Sequence, residues 1–285
     1  DKNIQAQELI KLIKRIKRNL HIMNFSQNKR IDSLNNPEFK FLVSLKKNRN
    51  RKTSNKTLCE GFRENTHLIK SEFLIDTLYI CEELFIGENN AALIKKFQNE
   101  NIRIVSVAEK VFHNISYRDR PDGFISLVNF ESNELNPDVI GPILIPDRIE
   151  KPGNLGTMIR TAKSFGINNV ILSDKITDIY NPNVIRSSVG HVFNMNISSG
   201  THKEIIDLLL KKNYEILLLD PEGEIELTNY KPSINFALVV GSEQFGISKE
   251  WFFPESIKLR IRSTNDVDSI NASTAAAIGM WELTK

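Results

Sequence analysis

Short apolar runs with strand character alternate with helix-periodic segments along most of this chain, and that alternation leaves few architectures open. Strands are predicted over 77–80, 102–107, 123–128, 142–145, 169–172, 215–219, 236–240 and 258–261, and helices over 60–69, 91–98, 155–165, 182–189, 203–210 and 269–283. Such interleaving predicts an α/β fold with mostly parallel strands. The polar stretch from Asn129 to Asp138 reads as a linker. The expected organisation is a basic amphipathic extension over 1–28, a smaller α/β domain over 29–128, a linker over 129–140 and a compact domain over 141–285.

The 285 residues are 40% hydrophobic and 26% charged, an ordinary globular balance that argues against disordered, collagen-like or coiled-coil chains. No stretch approaches the ~18 apolar residues a membrane span needs, and the first twenty residues interleave charge with Ile and Leu. A soluble, cytoplasmic protein without membrane partners is expected. Two cysteines, Cys59 and Cys81, are too few for a disulfide framework, and five scattered histidines lack zinc-ligand spacing, so no metal is expected.

Net charge is +3, but it is unevenly spread. Residues 1–70 hold 17 Lys and Arg against 6 Asp and Glu, a net of +11, and the remainder carries −8. A positive block of this kind suits a polyanion, because each neutralised phosphate releases counterions. Leu9, Ile10, Leu12, Ile13, Ile16 and Leu20 recur at helical spacing beside Lys11, Lys14, Arg15, Lys17 and Arg18, predicting an amphipathic basic helix. The run from Lys46 to Ser54 has no apolar residue and reads as an exposed loop. Its Lys46, Lys47, Arg49, Arg51 and Lys52 are the candidate phosphate contacts.

Three segments carry chemistry. In Lys151-Pro152-Gly153-Asn154-Leu155-Gly156-Thr157-Met158-Ile159-Arg160-Thr161-Ala162, Asn154 is a candidate helix N-cap. Arg160 follows inside the helix as a guanidinium that needs a phosphate or a carboxylate partner. In Phe236–Ile247 an apolar strand enters a turn bracketed by Gly241 and Gly246, at the strand end where open α/β sheets bind ligands. That turn lacks the Gly-Lys-Ser/Thr ending of an ATP loop, and no dinucleotide fingerprint occurs in the chain. In the third, a strand ending near Ile261 leads through a polar loop to Ser269-Ile270-Asn271 and an alanine-rich helix, with Ser269 as candidate N-cap.

The ordered motifs Asn-x-Gly-x-x-x-Arg-Thr-Ala, Gly-Ser-Glu-x-x-Gly, and Ile followed eight residues later by Ser-Ile-Asn-x-Ser-x-Ala resemble the SpoU family of the SPOUT methyltransferases, over about residues 142–283. Cys59-Glu60-Gly61 and Arg120-Pro121-Asp122-Gly123-Phe124 resemble the ribosomal-protein-like RNA-binding domain that often precedes that catalytic domain. The resemblance implies S-adenosylmethionine-dependent methylation of a ribose 2′-hydroxyl in RNA, ribosomal RNA in first place, with a tRNA-directed, base-directed or non-catalytic RNA-binding member as alternatives. It further implies a trefoil-knotted carboxyl-terminal domain, a homodimer, and cofactor contacts from Leu219, Gly241, Ile261 and Ile270. The resemblance implies that Arg160 helps the reacting hydroxyl lose its proton, but a guanidine neutral at pH 7 against a reference pKa of ~12.5 costs roughly 7 kcal/mol. Arg160 is expected instead to clamp the adjacent phosphate, with Asn154, Ser269 and Asn271 around the ribose and Glu243 fixing the loop and the guanidinium. Arg262-Ser263 and Asn265 depart from the family's usual Pro-Met and Gly in a cofactor loop.

Overall fold

The computed structural model describes residues 30–262 and 270–285. The basic helix expected near the amino terminus and the residues Ser263, Asn265 and Ser269 lie outside the described residues. The chain divides into two compact units, one running to Glu131 and one from Ser132 onward.

The first unit holds a four-stranded sheet of β1 (Lys56–Glu60), β2 (Ile75–Ile80), β3 (Arg103–Ser106) and β4 (Phe124–Asn129), in the order β1-β4-β2-β3. β4 runs antiparallel to both β1 and β2, whereas β2 and β3 are parallel. This sheet is therefore mixed. Its helices are α1 (Pro37–Ser44), α2 (Asn48–Ser54), α3 (Phe62–Leu68), α4 (Asn90–Asn99) and α5 (Glu109–Ile115). Asn36 starts α1 by accepting from the Glu38 and Phe39 N–H groups, with Pro37 preset at the first helical position. Leu42, Leu45, Leu58, Tyr79, Val105, Phe112 and Ile125 form the core. The two sequence marks of the RNA-binding resemblance meet here: the Gly61 N–H bonds the Phe124 carbonyl at 2.9 Å, and the Phe62 N–H bonds Asp122 at 2.8 Å.

The second unit is built on a seven-stranded sheet in the order β7-β6-β5-β10-β8-β11-β9, and all its pairings are parallel. The strands are β5 (Ile143–Pro146), β6 (Asn169–Ser173), β7 (Asn196–Gly200), β8 (Glu215–Leu219), β9 (Ile225–Glu226), β10 (Phe236–Val240) and β11 (Ser256–Arg260). β5, β6 and β10 are buried along their whole length, as expected where helices cover both faces of a parallel sheet. Four helices, α6 (Pro152–Ser164), α7 (Pro182–Ser187), α8 (His202–Lys211) and α9 (Ala272–Leu283), complete the unit, and α6 packs against both α7 and α9. Thr201 and Glu204 close a reciprocal capping box on α8.

Two expectations need correction here. The basic run over 46–54 is not a loop: α2 occupies most of it, and Arg51 is only 2% exposed, donating to the Leu45 and Lys46 carbonyls at 2.9 and 3.1 Å. Arg51 thus serves the first unit's own backbone and is withdrawn from the phosphate contacts. The second correction concerns the start of α6. Pro152 takes the first helical position and Lys151 is the cap, so Asn154 lies within the first turn. A proline's fixed φ suits that first position better than an asparagine two residues later can compete for it.

Gly156 sits where α6 crosses α7: a Cβ there would lie 2.6 Å from the Val184 carbonyl and still closer to the Ser187 hydroxyl, whereas one on Gly153 meets nothing within 4 Å. Alanine gains up to about 1 kcal/mol of helix propensity over glycine, but overpacking against backbone costs roughly 1–3 kcal/mol. Gly156→Ala is therefore expected to lower the urea midpoint while Gly153→Ala leaves it unchanged or raises it. Matching midpoints for the two variants would contradict the close crossing.

Candidate active site

Parallel order places the carboxyl ends of β5, β10, β8 and β11 side by side on one edge of the sheet. Three of these strands continue there into turns, 147–151 after β5, 241–246 after β10 and 220–223 after β8, and Ile261 follows β11. The 241–246 turn is closed on itself. Ser242 and Gly246 exchange two backbone hydrogen bonds of 3.1 and 3.0 Å, and the Phe245 N–H bonds the Ser242 hydroxyl at 3.1 Å. A Cβ on Gly241 would fall 2.1–2.3 Å from the backbone of Gly246 and Ile247, so only glycine allows this closure.

The closed turn holds Glu243 against the starts of two helices. Its carboxylate accepts from Asn154 of α6 at 3.1 Å, from Asn271 at the cap of α9, and from the Lys151 ammonium at the cap of α6. The Lys151 contact, followed by the Asn154 hydrogen bond and the Ala272 backbone N–H, holds the Glu243 carboxyl below the ordinary glutamate range despite an opposing contribution from burial. Helix N-termini carry partial positive charge, so a carboxylate is well placed between two of them.

Hydrogen-bond capacity separates the two asparagines. The Asn271 oxygen accepts from Ser273 N–H and hydroxyl and from Thr274 N–H, fixing it as the α9 cap, and its amide nitrogen donates to Asn154 at 3.3 Å and to Glu243. Both of its amide protons are thereby used. Asn154 donates one amide proton to Glu243, and among the described residues nothing takes the other. Asn271 positions this cluster; Asn154 has a donor to offer.

A second anchor stabilises the same edge from behind. Asp147, fully buried at the end of β5, accepts from His202 at 2.9 Å and from the Ser248 N–H at 2.7 Å, and His202 also pairs with Asp174. This joins β5, the start of α8 and the segment that follows the closed turn.

Asn154, Glu243 and Asn271 thus come together as expected from sequence, and Lys151 joins them. Nothing pointed to Lys151 except its place: a cation at a helix N-cap opposes the helix dipole and calls for a nearby carboxylate. Arg160 is not in this cluster. It lies on the exposed stripe of α6 with Gly153, Thr157 and Ser164, and no carboxylate pairs with it among the described residues. The expectation that Glu243 fixes the Arg160 guanidinium is replaced by the Lys151–Glu243 pair. Leu219 ends β8, Gly241 and Ile261 follow β10 and β11, and half-buried Ile270 precedes the α9 cap. In the first unit Lys46 donates to the Ser116 carbonyl at 2.8 Å with its ammonium 5.2 Å from the Tyr117 ring, and partial burial lowers its pKa. Lys47, Arg49 and Lys52 are exposed.

Among the described residues no group of three His, Cys, Asp or Glu side chains could hold a metal ion, and no helix is long and apolar enough to cross a membrane.

Comparison with known proteins finds both units in related sequences. Residues 141–281 match the SpoU rRNA Methylase family, and residues 36–126 match the MRM3-like substrate binding domain. The 23S rRNA (guanosine(2553)-2'-O)-methyltransferase RlmP of Bacillus subtilis is 24% identical over 255 residues, spanning 90% of this chain and 99% of its own length. A 23S rRNA (uridine(2479)-2'-O)-methyltransferase of Streptomyces viridochromogenes is 23% identical, spanning 87% and 89%. Among solved structures, the AdoMet-bound rRNA methyltransferase of Sinorhizobium meliloti superposes with a TM-score of 0.79 at 24% identity, covering 89% of this chain and 96% of that one. An RNA 2'-O ribose methyltransferase superposes at 0.75 with 27% identity, covering 89% and 97%. With both the three motif segments and the whole 141–281 span accounted for, the carboxyl-terminal unit belongs to the SpoU family of RNA methylases.

Proposed function

We propose that this chain methylates a ribose 2′-hydroxyl of ribosomal RNA with S-adenosylmethionine as donor, the amino-terminal unit binding the substrate. The observation that carries this reading is the junction of Asn154, Glu243 and Asn271, brought from three distant segments to the ligand-binding edge of a parallel sheet. The relatives' printed activities and the two family matches support it. The reading includes a cytoplasmic homodimer and a carboxyl terminus threaded into a trefoil knot; β10 lying between β5 and β8, and α9 returning onto α6, are in keeping with such threading. Exposed Arg49 and Lys52 on α2, Lys47 at its cap and Lys46 just before it are the proposed phosphate contacts of the substrate-binding unit.

The strand ends suit an adenosyl group. Leu219, Ile261 and Ile270 offer apolar side chains, and Gly241 leaves β10 through a turn too tight for any Cβ, so recognition there falls to main-chain groups. These four residues would hold the S-adenosylmethionine, which supplies an electrophilic methyl group on a sulfonium. The chain's own residues then have to bring the ribose oxygen into line with that methyl, a positioning task worth several kcal/mol. Asn154 donates its remaining amide proton to the ribose, while Lys151, Asn271 and the closed turn hold Glu243, and through it Asn154, in place. Ser269 is proposed to hydrogen-bond beside them. Arg160 clamps the neighbouring phosphate through its planar fork. It does not remove the proton: a guanidine neutral at pH 7 against a reference pKa of ~12.5 costs roughly 7 kcal/mol. The hydroxyl proton leaves to an RNA phosphate or to water.

Nuclease digestion and mass spectrometry of ribosomal RNA from cells with and without this protein are expected to reveal one missing 2′-O-methyl nucleoside. A missing base methylation instead overturns the ribose assignment. Arg160→Lys is expected to lower kcat on the order of 10²-fold at saturating RNA without changing calorimetric affinity for S-adenosylmethionine, because a point charge cannot reproduce the bidentate contact. Near-normal turnover would remove the clamp.

Glu243 gives a pH-dependent test that does not require turnover. Its folded pKa lies below the usual 4.5. The carboxylate therefore favours the folded arrangement above pH 4.5, and that contribution is lost as pH falls through the lower folded value. In Lys151→Ala the Glu243 carboxyl is expected to titrate higher, by NMR, and the contribution to vanish at a higher pH. An unshifted titration in the parent protein contradicts the contact.

A further inference from the structure

Beside the Glu243 cluster lies a cleft bounded by Arg148 and the 242–250 segment, and neither the fold nor the motif chemistry uses it. Its most unusual lining residue is Phe245, 64% exposed at the tip of the closed turn. A single exposed aromatic is unremarkable by itself. Here, however, Arg148 and Lys249 line the same cleft, both exposed and without a carboxylate partner among the described residues. Glu250 also lines it, leaving the cleft with a net positive charge. Arg148 is further held with φ of +51°, in the left-handed region that costs a non-glycine residue about 1 kcal/mol or more, by its N–H bond to the Ser173 carbonyl at 3.1 Å. The chain thus keeps a strained cation next to an unpacked ring.

We propose that this cleft is a nucleotide subsite, in which Phe245 stacks on one unpaired base of the RNA and Arg148 and Lys249 meet the adjoining phosphates. The proposal deepens the ribose-methylation reading and rests on it for the identity of the ligand as RNA. Aromatic faces accept any base, and cations beside them suit the attached phosphate, a combination typical of single-strand recognition. Position strengthens the argument. Phe245 and Glu243 belong to one five-residue turn closed by the Ser242–Gly246 bonds, so a base seated on the ring bears mechanically on the carboxylate that holds Asn154. The subsite would serve a nucleotide flanking the reacting ribose, ordering the strand before transfer.

Fluorescence anisotropy with a labelled single-stranded RNA oligonucleotide, using the full chain, tests this directly. Phe245→Ala is expected to weaken binding about tenfold to a hundredfold, and Phe245→Trp to keep parental affinity. Arg148→Gln is expected to reduce the slope of log affinity against log salt by roughly one. An oligonucleotide with abasic positions is expected to bind the parent as weakly as the intact one binds Phe245→Ala, with no further loss in that variant. Unchanged thermal midpoints and S-adenosylmethionine affinities check that each variant is folded. Equal affinity of parent and Phe245→Ala for the intact oligonucleotide, or no binding by the parent, overturns the subsite and leaves the face to a protein partner. If the parent chain transfers no methyl group while the oligonucleotide differences persist, the methylation reading fails and the subsite stands.

Discussion

One carboxylate organises the functional edge of this protein. Glu243 sits where the starts of α6 and α9 converge, so the side-chain amides of Asn154 and Asn271, the Ala272 N–H and the Lys151 ammonium all face it. Removing that charge would leave a lysine at a helix N-cap with nothing to offset the dipole, and would free the Asn271 amide that ties α9 to α6. Segments 89 and 28 residues away from Glu243 in sequence are fixed through this one side chain. The closed turn that carries it forms for an equally local reason, the absence of a Cβ at Gly241 that lets the Ser242–Gly246 bonds close.

This arrangement explains why the three motifs must occur together. The asparagine of the first is held by the glutamate of the second, which is held by the asparagine of the third. Each asparagine alone would be an ordinary polar residue at a helix start. The two differ in hydrogen-bond capacity: Asn271 is consumed by capping and bridging, and among the described residues Asn154 keeps one donor unused.

Much of this could be read before the fold was in view. The strands 215–219 and 236–240 coincide with β8 and β10 because fully apolar runs bounded by turn residues admit few other readings. β7 was not legible, since Asn196–Gly200 carries mainly polar side chains and lies at the sheet's edge beside β6. β1 was hidden behind the basic run, and α2 within it, because seven polar residues show no apolar stripe; tertiary contacts of Arg51, not periodicity, set that helix. The motif residues were legible as a set, but their partners were not. Which cation neutralises Glu243 depends on a helix start three residues from where the asparagine suggested it, and a preset proline decided that start.

The pairing of Lys151 with Glu243 has a consequence for Arg160. A phosphate approaching a site that contains a bare carboxylate would be repelled, and an arginine already bound to that carboxylate would have to exchange one anion for another. With Lys151 and two helix starts offsetting Glu243, neither obstacle is present, and the guanidinium stands exposed on the stripe of α6 without a carboxylate among the described residues. Under the proposed reading its planar fork is the group left for a substrate phosphate. The same reasoning distinguishes it from Arg51, whose donors are already spent on main-chain carbonyls in the other unit. The two arginines therefore differ in what holds them, and what separates them is whether the protein's own acceptors reach them first.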